Sequence, residues 1–273
     1  MAATAATAPP SDRRVLKTRA LSALALAPPA LLATWAGGYA FAAMVALAAA
    51  LMCWEWHRIA LGGFGRAGQA AAAGCVAASI LAVSHPAAAM AVVAAAAALM
   101  AVMAGRAGRA WATGGLLYVG LPSVALVWLR LDPVFGEAVV WWLLLMVWAT
   151  DIGAYACGRL IGGPLLLPAV SPKKTWAGLL GGMASAALVG PPVAWAFGLS
   201  APGAVMALGA VGAVVAQAGD LFESWVKRRW NVKDSSGIIP GHGGVLDRVD
   251  GLLSAALAVA VLTLAGGRSV LAW

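Results

Sequence analysis

Long apolar runs broken by short polar intervals make up most of the chain. They lie near 20–36, 38–56, 69–84, 87–104, 112–130, 136–157, 176–198, 202–226 and 250–267. A helix needs about 20 mainly apolar residues to cross the hydrocarbon core of a bilayer. The pattern therefore predicts an all-α, polytopic membrane bundle of about nine transmembrane helices. The first two runs meet around Pro28, Pro29, Gly37 and Gly38, which fits either a helical hairpin or two short tilted spans. Residues 1–12 are small and polar and are expected to be disordered. Arg13, Arg14, Lys17 and Arg19 follow, then an apolar run, as at the start of a signal peptide. Further apolar runs follow at once, so an uncleaved first membrane helix is the expectation. No soluble domain, linker or internal repeat is evident.

Composition supports the same class. Of 273 residues, 63% are hydrophobic and 10% charged, against roughly 25% charged in ordinary soluble domains. A net charge of +8 raises nucleic acid as a partner, but the cations are scattered between apolar spans. Topology accounts for them better. If the N-terminus is cytoplasmic and nine spans alternate, all 18 Lys and Arg except Arg130 and Arg268 fall inside. No nucleic-acid partner is expected, and the polar loops 158–175 and 227–249 both face the cytoplasm. This divides the chain into a basic cytoplasmic tail (1–19), a scaffold of about five helices (20–130) and a region of about four (131–273) that holds both large polar loops and is the expected seat of the protein's chemistry. Cys53, Cys75 and Cys157 lack metal-ligand or disulfide spacing and are expected to pack.

The unusual chemistry is concentrated in 224–250, where charge interrupts an otherwise greasy chain. Charge near a bilayer is costly to hold and points to function. Asp220, Ser224 and Lys227 share one helical face, with Glu223 beside them, and Asp247 and Asp250 share another. Two helix ends bearing carboxylates suit a divalent cation bound through oxygen, with Mg²⁺ favoured when phosphates complete its shell. The alternative is that these acids neutralise neighbours such as Lys227 and Arg248. Between them lie Lys233, Asp234 and the turn His242-Gly243-Gly244. Glycine-rich backbone flanked by Lys and Arg suits a phosphate cradle; alone it would be a plain turn. A second polar patch holds Asp151 and Tyr155, then Ser171-Pro172-Lys173-Lys174-Thr175-Trp176. That run is expected to cap the seventh helix, with Pro172 in its first turn and the lysines reaching toward phosphates. The alternative there is that the lysines merely mark the inside face.

These residues carry a family resemblance. Ser224-x-Val226-Lys227-Arg228, Lys233-Asp234-x-Ser236 and Ile239-Pro240-x-His242-Gly243-Gly244-x-x-Asp247-Arg248-Val249-Asp250 resemble the signature of phosphatidate cytidylyltransferases, the CDP-diacylglycerol synthases. Asp151 to Tyr155 and Ser171 to Trp176 are similar to a second block, and Trp54-Glu55-Trp56 is similar to bacterial members. Ala177 stands where members usually carry Glu, which puts in doubt any acid role at 177.

The resemblance implies CMP transfer from CTP to phosphatidate, giving CDP-diacylglycerol and pyrophosphate, in a bacterial cytoplasmic (inner) membrane. It implies Mg²⁺ on Asp220, Asp247 and Asp250, a second, monovalent cation such as K⁺, and a homodimer. Lys227 joins the catalytic acids. Ser171, Lys173, Lys174, Thr175, Ser224, Arg228, Lys233, Asp234, His242, Gly243, Gly244 and Arg248 are the expected substrate contacts, with Asp151, Tyr155 and Glu223 as additions. Competing readings are a nucleotidyltransferase for another lipid phosphate and, further off, a transporter. The polar residues gather on one face rather than at the midplane, and no repeat relates two halves, which argues against transport.

Overall fold

The computed structural model describes residues 12–273 of the chain; residues 1–11, most of the expected tail, lie outside the described residues. The elements are α1 (Asp12–Ala36), α2 (Gly38–Ala60), α3 (Arg66–Leu81), α4 (Pro86–Met103), α5 (Gly105–Arg130) and α6 (Gly136–Leu160). They continue with β1 (Leu165–Leu167), β2 (Ser171–Thr175), α7 (Trp176–Ala196), α8 (Pro202–Arg229) and α9 (Leu246–Gly266). The all-α, polytopic expectation holds, with one change in the spans. Among the described residues, seven helices are long and apolar enough to cross a membrane. Helix α3 has 16 residues, about 24 Å at 1.5 Å per residue, short of a core about 30 Å thick. In α1 the apolar part is only Leu24–Ala36. The break between α1 and α2 is sharp. Gly37 has φ 64°, and Arg130 caps the end of α1 by donating to the carbonyls of Thr34 (3.0 Å) and Trp35 (2.9 Å). Those two bonds give Arg130, one of the two cations outside the inside set, a structural reason for its place.

Small residues let the later helices approach closely. A Cβ on Gly182 of α7 would stand 3.0 Å from the Thr150 carbonyl of α6, and one on Gly209 of α8 would stand 2.6 Å from the Ala186 carbonyl of α7. Gly219 of α8 meets the Asp250 backbone of α9 in the same way, at 2.8 Å. The spacing of α8 and α9 is thus set beside the acids they carry. Among the earlier helices, α3 and α4 also meet through small residues, Gly74 against Ala96, while Trp56 of α2 fills the notch at Gly115 of α5 and donates to the Trp111 carbonyl at 2.8 Å. Helix α5 packs against α2, α3 and α4 and also against α6 and α9, joining the earlier helices to the later ones. Cys53 and Cys75 are buried, free thiols 3.7 Å apart.

Two local expectations change. The interval 158–175 contains an antiparallel hairpin of β1 and β2, with Leu165 opposite Thr175 and Leu167 opposite Ser171. Pro172 is therefore in a strand and does not start α7. A two-stranded sheet is all edge, where proline's missing N–H is tolerated. The cap of α7 is Thr175, whose Oγ1 accepts from the Gly178 amide at 3.0 Å. Helix α9 starts at Leu246, so Asp247 lies in its first turn.

Candidate active site

The last turns of α8, the first turns of α9 and β2 meet at one end of the bundle. They form two acid–lysine groups. In the first, Lys227 bridges Glu223 (2.5 Å) and Asp247 (2.6 Å). Glu223 is 1% exposed, and its Oε1 has no hydrogen-bond partner in the structure. Asp247 is fully engaged: Oδ1 accepts from Lys227, while Oδ2 accepts from the Ser235 amide (2.9 Å), Ser235 Oγ (2.9 Å) and the Gly244 amide (2.8 Å). An ammonium has three donors, so Lys227 keeps one for a ligand.

In the second group, Lys174 of β2 pairs with Asp220 of α8 at 2.6 Å and donates to Gln217 Oε1 at 2.8 Å. Ser224 Oγ donates to the other Asp220 oxygen at 3.3 Å. Asp250 accepts through Oδ1 from the Gly251 amide at 2.8 Å. Asp151 of α6 lies within electrostatic reach of Asp220, Lys174 and Arg248, and Asp250 within reach of Asp220, Asp151 and Lys227. Thus Asp151, Lys174, Asp220 and Asp250 face a common region from four elements.

Not all the expected site residues converge. Tyr155 is exposed and accepts from Arg159 at 3.3 Å. Lys173, Arg228, Lys233, Asp234 and Arg248 are exposed, and none joins an ion pair among the described residues. Ser171 and Thr175 lie at the ends of β2, and Thr175 acts as a helix cap. His242 is half-buried and its Nδ1 has no partner.

The glycine-rich loop differs from the phosphate cradle expected. The His242 amide donates to the Ile239 carbonyl and the Ile239 amide to the Gly243 carbonyl, both at 2.9 Å. At α9 the Gly244, Val245 and Leu246 amides already bind carboxylates of the protein, Asp247 and Glu55. Gly243 has φ 87°, and a Cβ there would stand 2.7 Å from Asp247 Oδ2. These glycines let the protein's own acids approach. Gln217 and Ser235, not among the expected site residues, and Glu55, read in the sequence only as part of a family resemblance, therefore belong to its framework. Glu55 alone left a signal, an acid inside an apolar run between two tryptophans.

The metal expectation can be weighed against this donor set. Among the described residues no group of three His, Cys, Asp or Glu could hold a metal ion. Asp247 as a direct ligand fits poorly, because four donors already fill its oxygens. Asp220 and Asp250 fit better: both are hard oxygen donors with lone pairs to spare, and Mg²⁺ commonly takes one or two carboxylates beside substrate phosphates.

Fold and site together define a polytopic helical membrane protein with acids and lysines gathered at one end of its closing helices. The family model described as "Cytidylyltransferase family" matches residues 17–265. The chain is 36% identical over 274 residues to the phosphatidate cytidylyltransferase of Pseudomonas aeruginosa (strain PAO1), covering 93% of this chain and 98% of that protein. It is 49% identical over 148 residues to the phosphatidate cytidylyltransferase of Brucella suis biovar 1 (strain 1330), and 43% identical over 148 residues to that of Helicobacter pylori (strain J99). In each of these two shorter matches the chain spans about half the length of the relative, 54%. The chain belongs to the cytidylyltransferase family.

Proposed function

We propose that this protein is a phosphatidate cytidylyltransferase, transferring CMP from CTP to phosphatidate in phospholipid biosynthesis. The observation that carries the reading is the half-buried Lys174–Asp220 pair beside Asp250 and Asp151, at the end of apolar helices. The near full-length similarity to the Pseudomonas protein of that name supports it. A site at a helix end suits a lipid phosphate at the membrane surface and a nucleotide from the water phase.

In this reading a phosphate oxygen of phosphatidate attacks the α-phosphorus of CTP. A new P–O bond forms, the bond between the α-phosphorus and the bridging oxygen breaks, and pyrophosphate leaves with the electron pair. The attacking phosphate is already ionised near neutral pH, so no strong general base is needed. The residues have to bring two anions together and neutralise charge as it moves to the leaving group. Lys174 leaves Asp220 to meet a phosphate, and the donor of Lys227 not taken by Glu223 and Asp247 would add positive charge for the same phosphates. Arg228, Lys233, Lys173 and Arg248, exposed and outside the ion pairs, gather the triphosphate or the lipid headgroup. Ser171 and Ser224 add hydroxyl contacts, and His242 closes the nucleotide side. Asp220 and Asp250 would hold Mg²⁺, which when bound neutralises the α-phosphate and the leaving pyrophosphate. Asp247 orients the loop from behind. A monovalent cation such as K⁺ beside this pair, a homodimer, and a site facing the cytoplasm of a bacterial inner membrane complete the proposal. Lys and Arg gather in the loop before α7 and after α8, two spans that return the chain to one side, which supports that orientation.

The test uses purified full-length protein with labelled CTP, Mg²⁺ and phosphatidate in mixed micelles. Labelled CDP-diacylglycerol and an equal amount of pyrophosphate are expected. Product with a different lipid phosphate and none with phosphatidate would replace the substrate assignment; no pyrophosphate with any lipid would reject the reaction.

A further inference from the structure

Glu55 lies on α2, far in sequence from every residue assigned to the reaction, and is 0% exposed. Among the described residues no cation pairs with it. Its oxygens instead take three donors from the opposite end of the chain. Oε1 accepts from Ser236 Oγ (2.6 Å) and the Val245 amide (2.8 Å), and Oε2 accepts from the Leu246 amide (2.7 Å). Val245 is the N-cap position of α9, and its own side chain caps nothing. The first amides of a helix lack partners within it and carry the positive end of the helix dipole. Glu55 supplies those partners from another helix.

A local Ser, Thr or Asp at position 245 would cap α9 without burying a charge. Burying a carboxylate is costly unless it is fully hydrogen-bonded. The cap used here sits 190 residues away in sequence. Unlike a local cap, it fixes α9 and the 235–246 loop to α2. Gly244 completes the clasp, since any Cβ there would strike both Ser235 Oγ and the Glu55 carboxylate. Asp247 and Asp250 follow directly in the first turns of α9. A small rotation of that helix end would turn both acids.

We propose that Glu55 is a positioning residue: it holds the start of α9 so that Asp250 faces Asp220 and Asp247 faces Lys227. The proposal rests on the cytidylyltransferase reading above. It makes the α1–α5 region part of the site's framework.

The test compares the wild type with Glu55→Gln as full-length protein in nanodiscs. Gln keeps the shape but turns an NH₂ toward an amide donor. Turnover per folded molecule, KM for CTP and amide hydrogen exchange are measured. The variant should exchange about tenfold faster or more within 235–249, with α6 and α7 unchanged. Its kcat should fall on the order of 10- to 100-fold, the usual cost of misplacing a supported catalytic group, while KM for CTP stays within about threefold. Wild-type kcat in folded Glu55→Gln, whatever its exchange, would reduce Glu55 to a packing cap and overturn the proposal. If Glu55→Gln does not fold, Ser236→Ala removes one of the three bonds. Faster loop exchange with a lower kcat is then expected, and wild-type values of both would overturn it. A wild type that makes no CDP-diacylglycerol overturns the reaction reading and this proposal with it. An active wild type with an insensitive Glu55→Gln overturns the role of Glu55 alone.

Discussion

The two lysines of the site sit in opposite surroundings. Lys227 is 12% exposed and clamped between Glu223 (1%) and Asp247 (4%), whereas Lys174 is 20% exposed and holds an Asp220 that is 34% exposed. The first group is closed and the second open. Buried ion pairs pay a large desolvation cost and tolerate it only when every partner is in place. Removing one member leaves a charge stranded. Half-exposed pairs contribute little stability, and their members exchange partners readily. The closed group therefore builds the junction of α8, α9 and the loop, and in the proposed reaction the open group would trade its internal ion pair for phosphate and metal. Residues that read alike in sequence, an acid and a lysine near a helix end, divide into structure and chemistry by burial.

Breaking the closed group should have the largest effect. Lys227→Met leaves Glu223 and Asp247 buried without a cation, and about 3–5 kcal/mol of stability should be lost. The thermal midpoint in detergent would fall sharply and turnover would be lost with it. Glu223→Gln should be milder, because Lys227 retains Asp247. Equal destabilisation by the two variants would contradict the assignment of Lys227 as the bridge. In the open group, Asp220→Asn should leave the midpoint nearly unchanged while turnover of CTP with phosphatidate falls on the order of 10²- to 10³-fold. A folded Asp220→Asn with wild-type turnover would move the metal proposal away from Asp220.

The helical bundle was legible because membrane spans announce themselves by composition over a fixed length. The helix ends carrying Asp220 and Asp250 were legible because spacing of three and four residues places side chains on one face. What escaped depended on contacts between distant segments. Ser171 to Thr175 reads as a helix start, yet pairing with Leu165 to Leu167 makes it a strand. Asp247 and Asp250 look equivalent at i and i+3, but only Asp247 meets Lys227 and the Ser235 and Gly244 amides. Glu55 has its partners at 236, 245 and 246, which no local pattern on α2 could indicate. Helix α3 reads as a span, but its ends at Arg66 and Leu81 leave it short.

Smaller effects sharpen the contrast where closed and open groups adjoin. Gly244→Ala would push a methyl group against Ser235 and Glu55, and overpacking of this kind costs about 1–3 kcal/mol. Loop exchange should rise with it. Gly237→Ala in the same loop meets nothing within 4 Å and serves as the control. Thr175→Ala should have the smallest effect. It removes the hydroxyl that accepts from the Gly178 amide, and loss of such a cap costs about 1 kcal/mol. Thr175 ends the strand that carries Lys174, so fraying there would loosen the open group without touching Lys227. The variant should lower the thermal midpoint slightly and raise KM for CTP more than it lowers kcat. A fall in kcat as large as that of Asp220→Asn would instead place Thr175 in contact with the reacting phosphates.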